Sequence, residues 1–422
     1  MAQLIHGSSN KSDTQLGLMT QDSCASVEVG VHWRGIDCLY NDWLYLPCFR
    51  CAVDRLPAKL QSRLAGLKAG DLLTCHFNPT ELIPRWRNDH VYRVRRDQFL
   101  PQLTETIKIS PALGRYYPAS WFVIDTRAQD GASRSGRILS IDKQQMRVDF
   151  NHPLADKSFD ITIRIESVHP SDSEDKRPPE DIIALLLNHG PGLQDRLPEQ
   201  ETDFWQDNPF HRLDPAPDSA FFAQPSFQPF WDETALLQVS HFYQQQIPSH
   251  SRILDLMAGI HSPLAEAAIQ PVTVSCAGLN RQELENNPQC DSVEVLDVNR
   301  TKTLPYADAS FDVVLIHAAI EYVIHPQTLL VEILRILKPG GQLIISFSNR
   351  YVLEKVIRCW RLAHDFERPG ILLAYLRKTA EFGQFISQSW RGRPRPLDDR
   401  LASQLPFSDP VFIVSARKTG DS

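Results

Sequence analysis

The chain has no long apolar run and no secretion-type start. None of its 422 residues begins a stretch of eighteen apolar residues, which a membrane-spanning helix would need. The first residues are polar and lack the basic start and apolar core of a signal peptide. These absences predict a cytoplasmic protein without a membrane partner, and residues 1–26 are expected to form a flexible leader.

Positive charge is also in short supply, since the formal net charge is −7. That balance gives no general attraction for nucleic acid, so a nucleic-acid partner is not expected. The eight cysteines are scattered, and without a secretion signal they are expected to be reduced thiols. Cys48 and Cys51 have the spacing of half a zinc site, but no second pair follows, so no metal is predicted.

Glycine is scarce where a nucleotide-binding loop would have several. Residues 253–345 contain short apolar runs, each followed by a loop and a helical pattern, which predicts β-α units of a parallel sheet. The first run ends at Asp255, and the loop after it holds a single glycine, Gly259. Ligands of such sheets bind at the carboxyl ends of the strands. The predicted site therefore includes Asp255, residues 278–280, Asp297 and residues 317–322.

The segments LPYADASFDVVLIHAAIEYV and LLVEILRILKPGGQLIISFSN resemble class I methyltransferases that use S-adenosylmethionine (SAM). The resemblance covers residues 204–422 and implies a Rossmann-like sheet of seven strands. It also implies that Asp297 meets the adenine of SAM, and that the family's second-strand acid falls on Gly278. Asn280 is a candidate replacement for that acid. The implied cofactor-binding residues are Asp255, Met257, Gly259, Asn280 and Asp297.

Methyl transfer needs a general base only when the acceptor must lose a proton. His317, Glu321 and Tyr322, at the end of the fourth strand, are the candidates, and each could instead be structural. Residues 204–243, here called the aromatic cover, hold ten aromatic side chains and are expected to pack on the sheet or roof the site. The basic run of residues 391–396 predicts either a solvated loop or a clamp for an anionic acceptor.

The N-terminal half is predicted to be rich in β-structure, with strictly alternating residues 159–168 as a half-buried antiparallel strand. Residues 56–71, 90–99 and 148–168 resemble FKBP-type prolyl isomerases of the SlyD kind. The resemblance implies an FKBP-like α+β domain over residues 27–169 with a flap inserted at about 100–148. Its prolyl-peptide pocket falls on Leu60, Ile83 and Ile161, and residues 170–203 are predicted to be a linker.

Together these features predict a multidomain protein with an α/β part and a β-rich part. The preferred function is methyl transfer from SAM to an unidentified acceptor, which could be a protein or peptide held by the N-terminal module. Two alternatives stay open: a prolyl isomerase with an accessory methyltransferase-like domain, and a binding protein whose active sites are both lost.

Overall fold

A computed structural model describes residues 17–101, 109–124, 135–172 and 175–420. The strands are β1 Ser23–Arg34, β2 Cys38–Arg50, β3 Leu72–Phe77, β4 Val91–Arg95, β5 Tyr116–Pro118, β6 Ser135–Ile141, β7 Gln145–Asp149, β8 Phe159–Pro170, β9 Arg252–Leu256, β10 Thr273–Gly278, β11 Ser292–Val295, β12 Phe311–His317, β13 Leu337–Phe347, β14 Phe382–Arg391 and β15 Val411–Lys418. The helices are α1 Ala58–Gln61, α2 Ile182–Leu187, α3 Asp218–Phe221, α4 Glu233–Gln246, α5 Arg281–Glu285, α6 Pro326–Ile336, α7 Arg358–Arg361 and α8 Arg368–Lys378. Within the described residues, no helix is long and apolar enough to cross a membrane.

One sheet of eleven strands runs through both halves of the chain, in the order β11-β10-β9-β12-β13-β15-β14-β2-β1-β8-β3. The C-terminal half contributes the first seven strands. Of these, β15 is antiparallel to both neighbours, while β9 to β13 are mutually parallel wherever they pair. The N-terminal half contributes the other four, joined through a parallel pairing of β14 with β2. The sequence predicted two parts but not this shared sheet.

The predicted flap region forms a second sheet, ordered β4-β7-β6-β5, which starts upstream of residue 100. It has its own core, which includes Val94, Phe122 and Phe150. Residues 102–108 and 125–134 of the predicted insert lie outside the described part of the chain. The resemblance of residues 27–169 to an FKBP domain stays a prediction.

The structure tests four predictions about single segments of the chain. The alternating strand forms β8, which pairs antiparallel with both β1 and β3. The apolar spacing of residues 56–71 predicts a short amphipathic helix closed by Gly70, but only the four-residue α1 forms, and Gly66 already takes a positive φ of 84°. Of the predicted leader, residues 1–16 lie outside the described residues, whereas β1 begins at Ser23. The predicted linker of residues 170–203 contains α2, which buries four of its six residues.

The basic run at residues 391–396 is neither a solvated loop nor a clamp of three available arginines, because two of the three bind carboxylates of this chain. Arg393 pairs with Glu28 of β1 and Glu166 of β8. Arg395, whose side chain is 1% exposed, pairs with Asp232, Asp399 and Asp409. The Arg391 guanidinium donates to the Leu186 carbonyl. The run therefore holds the N-terminal strands and the aromatic cover to the C-terminal half.

The expectation of reduced cysteines is also wrong for half of them. Disulfides join Cys24 to Cys48 and Cys276 to Cys290, and the Cα atoms of each pair lie 5.6 Å apart. The fold brings together cysteines that are 24 and 14 residues apart in the sequence. The remaining four cysteines are free and buried.

Candidate functional site

The predicted site lies where the parallel strands β9, β10, β11 and β12 end side by side. Asp255, in β9, is 2% exposed, and its Oδ1 has no hydrogen-bond partner among the described residues. Burial raises the pKa of this carboxyl to about 7, and the Ser262 hydroxyl opposes the rise. A buried carboxylate oxygen without a donor is costly to keep, so the Oδ1 of Asp255 suits a ligand that carries a donor or a positive charge.

The loop after β9 explains the glycine at position 278. Met257 takes a left-handed φ of 65°, and the Ala258 N–H donates to the Ala277 carbonyl at 2.9 Å. This contact folds the loop over the end of β10. A Cβ atom at Gly278 would overlap the Ala258 carbonyl oxygen. No side chain fits there, so the acid that methyltransferases place on the second strand has no room at this position.

Asn280 is committed to the protein itself. Its Oδ1 caps α5 by accepting from the Gln282 and Glu283 N–H groups. Its Nδ2 donates to the carbonyls of Phe222 and Ala223 at 3.3 and 3.0 Å. Because an amide side chain offers two donors and two acceptor lone pairs, these four contacts use it fully. Asn280 therefore ties the aromatic cover to the carboxyl end of β10.

Asp297 follows β11 and keeps one oxygen unused. Its Oδ1 accepts from the Asn299 N–H at 3.0 Å. Its Oδ2 is buried and has no partner among the described residues. The hydrogen bond orients the carboxylate, and the second oxygen remains an acceptor for a ligand.

The sequence singled out His317, which lies in a cluster closed by the aromatic cover. Its Nδ1 is 2.8 Å from the Ser346 hydroxyl, and the Trp231 ring meets its ring edge-on at 4.4 Å. Burial lowers the pKa of His317 to about 3, and the charge of His261 adds to the effect. The imidazole is neutral at pH 7 and too weakly basic for a general base. Nothing in the sequence marked Ser346 as its partner.

Glu321 and Tyr322 lie in the 3-10 turn Ile320–Tyr322 after β12. Glu321 is 0% exposed, and neither carboxylate oxygen has a partner among the described residues. Burial raises its pKa to about 7, against the smaller effects of a backbone N–H and of the Arg368 cation. The Tyr322 hydroxyl instead accepts from the Val352 N–H at 2.8 Å, and burial raises its pKa well above the usual value. The Glu321 carboxyl is therefore buried without a hydrogen-bond partner among the described residues, whereas the Tyr322 hydroxyl holds a loop in place.

The three residues predicted for the N-terminal pocket do not share one cavity. Leu60 and Ile161 are fully buried in the main core. Ile83 borders a cavity of about 940 Å³ that lies between the N-terminal strands, the small sheet, α2 and the loop after α7. Aromatic and apolar side chains form much of its wall, together with polar groups such as His152 and Glu367.

Part of the C-terminal half matches a known family of domains. Residues 258–345 match a family model described as a methyltransferase domain. The chain therefore carries a methyltransferase domain, and the strand ends described above lie within or beside it. The match covers the region where the sequence placed most of the cofactor-binding residues.

Among curated proteins, two quinone-modifying methyltransferases are similar to this domain. The demethylmenaquinone methyltransferase of Clavibacter sepedonicus is 38% identical over 147 residues, which is 34% of this chain and 59% of the relative. The ubiquinone/menaquinone biosynthesis C-methyltransferase UbiE of Stutzerimonas stutzeri is 30% identical over 154 residues, again 34% and 59%. This chain thus spans less than two thirds of either relative.

A solved structure, the 1,6-didemethyltoxoflavin-N1-methyltransferase of Burkholderia thailandensis, was determined with S-adenosylhomocysteine bound. It is 20% identical, with a TM-score of 0.32, over 44% of this chain and 80% of that one.

Proposed function

We propose that the C-terminal domain transfers a methyl group from SAM to a small acceptor. The observation that carries this proposal is that Asp255 and Glu321, which lie in and just after parallel strands of the sheet, are buried carboxyls with one and two unpartnered oxygens among the described residues. The family match of residues 258–345 supports it independently. SAM supplies an electrophilic methyl group on a positively charged sulfur, and it carries an ammonium group as well.

The residues present fit such a cationic cofactor. Asp255 and the free Oδ2 of Asp297 are acceptors at the ends of β9 and β11, the two strands that flank β10, and Gly259 lies in the loop after β9. Trp231 is buried, and its ring can face a cation, a contact worth about 0.5–2 kcal/mol. Holding the reactants together and excluding water provides most of the rate in a reaction of this kind.

Glu321 takes the role of proton acceptor in this proposal. A carbon acceptor that gains a methyl group exchanges a C–H bond for a C–CH₃ bond and releases a proton. The name of the UbiE relative specifies C-methylation, and an acceptor of that type needs a base. With a pKa of about 7, the Glu321 carboxyl is half deprotonated near neutral pH and can receive the proton.

Calorimetric titration of the full chain with SAM and with S-adenosylhomocysteine tests the proposal. We expect binding of both, and an affinity about tenfold lower in Asp255→Asn, because a hydrogen bond to a charged group is lost. Asp398→Asn, at an exposed position, is the matched control and should bind normally. The absence of binding by the natural chain at millimolar cofactor would refute methyl transfer and favour a binding protein.

Peptide binding by the N-terminal half is a second candidate, supported by the cavity that Ile83 borders. Its volume of about 940 Å³ and its partly apolar wall are typical of ligand pockets. A protease-coupled proline-peptide assay on the full chain tests whether this module is a prolyl isomerase. An isomerisation rate equal to that of the uncatalysed reaction would rule out prolyl isomerase activity.

A further inference from the structure

The corner between the loop after β9 and helix α5 lacks the usual acid. Gly278 has no space for a side chain, and the Asn280 amide is fully used by α5 and the aromatic cover. The two hydroxyls of a ribose that binds at this corner lose hydrogen bonds to water, so they need acceptors from the protein. A different residue must supply them.

We propose that Glu283, in the first turn of α5, is the residue that binds the ribose hydroxyls of SAM. This inference rests on the proposed function. The Glu283 Oε2 lies only 3.2 Å from the position that a Cβ would occupy at Gly259. The carboxylate therefore lies against the one glycine of the cofactor loop, in a place that a side chain at this position would crowd.

The carboxylate is held in this direction from the other side. Its Oε1 accepts from the Ser226 N–H of the aromatic cover at 2.7 Å. The loop is held as well, because the Asn287 amide donates to the Gly259 carbonyl at 2.9 Å. With one oxygen anchored by the cover, the other is aimed at the loop, and a carboxylate keeps lone pairs for further donors on both oxygens.

The same geometry gives the aromatic cover a positioning role. The hydrogen bonds of residues 222–226 to Asn280 and Glu283 use backbone groups of the cover, so they do not depend on which side chains the cover carries there. Ser226 acts through Glu283 and is a positioning residue. The acid that other methyltransferases place on the strand is thus supplied here from the helix.

A binding cycle tests this assignment without any need to know the acceptor. The natural chain and Glu283→Gln are each titrated with S-adenosylhomocysteine and with its 2′,3′-dideoxy analogue. We expect the natural chain to bind the analogue at least about tenfold more weakly, because hydrogen bonds to a charged carboxylate are lost. Glu283→Gln should bind S-adenosylhomocysteine about tenfold more weakly than the natural chain. It should then discriminate little between the two ligands.

Glu285→Gln is the matched control, since Glu285 lies on the same helix and its more than half-exposed side chain pairs with Arg281. It should bind both ligands as the natural chain does. Full discrimination in Glu283→Gln, or none in the natural chain, would overturn the assignment while methyl transfer stands. Failure of the natural chain to bind S-adenosylhomocysteine at all would overturn both. Glu283→Asp, whose carboxylate is one methylene shorter, should give an intermediate loss.

Discussion

Removing the charge of Glu321 should change how the stability of the protein depends on pH. Burial raises the pKa of this carboxyl from 4.5 to about 7, so the folded state favours its neutral form. A group whose pKa is higher in the folded state contributes its full stabilisation at a pH below its pKa in the unfolded chain. This stabilisation is lost as the pH rises through its pKa in the folded protein. The natural chain should therefore lose stability at this residue between pH 5 and pH 8.

The size of the effect follows from the two pKa values. The difference between 4.5 and about 7, at about 1.36 kcal/mol per pKa unit, corresponds to roughly 3 kcal/mol in total. Part of it is already lost by pH 5, since the unfolded carboxyl titrates there, and about 2 kcal/mol falls between pH 5 and pH 8. Glu321→Gln cannot ionise and should lack this part of the pH dependence.

Urea unfolding at pH 5, 6, 7 and 8 measures the difference directly. The free energy of unfolding of Glu321→Gln, relative to the natural chain, should rise by about 2 kcal/mol from the lowest pH to the highest. Glu354→Gln changes an exposed carboxyl nearby and should show no such trend. A difference between Glu321→Gln and the natural chain that stays constant with pH would refute the reasoning. It would mean that the carboxyl is ionised throughout, for instance through a closer approach of Arg368.

Two further predictions concern packing and buried charge. Gly278→Ala should lower the free energy of unfolding by about 1–3 kcal/mol, because the new Cβ atom would overlap the loop after β9. Gly17→Ala is the control and should change the free energy of unfolding little, because the space around Gly17 is open. Equal urea midpoints for the two variants would contradict this prediction. Arg395→Ala should cost about 3–5 kcal/mol, because Asp232 and Asp409 lose the buried cation that pairs with both of them. Arg281→Ala, in an exposed pair, should cost less than about 1 kcal/mol. Similar losses in these two variants, measured by urea unfolding, would show that the buried pairs are not specially coupled.

Local patterns in the sequence predicted some elements well. The alternation in residues 159–168 predicts an antiparallel strand, and β8 follows because every second side chain enters the core. The apolar spacing of residues 56–71 predicted a short amphipathic helix ending at Gly70, of which only the four residues of α1 form. There Leu60 and Leu64 are still buried, but on successive turns around Gly66. Spacing alone does not distinguish a helix from a series of turns that buries the same side chains.

Contacts between distant segments could not be predicted in this way. Arg395 in the basic run at residues 391–396 has one local partner, Asp399, but Arg393 pairs with Glu28, which lies 365 residues away. The site shows the same limit. Asp255 and Glu321 were named because strand ends meet at one edge of a parallel sheet. The Asn280 side chain donates to carbonyls of the aromatic cover that precede it by 57 and 58 residues, and no local pattern predicts these hydrogen bonds.

The pairing of β14 with β2 has a consequence for biosynthesis. The ribosome releases β1, β2 and β8 long before Phe382–Arg391 exists, so β2 presents an unpaired edge during the synthesis of more than half the chain. Exposed strand edges invite pairing with other chains, and long-range parallel pairing forms slowly. The nascent protein therefore depends on late closure of its sheet. A C-terminal fragment made alone would in turn expose the edge of β14. Each half alone is therefore expected to aggregate more readily than the full chain.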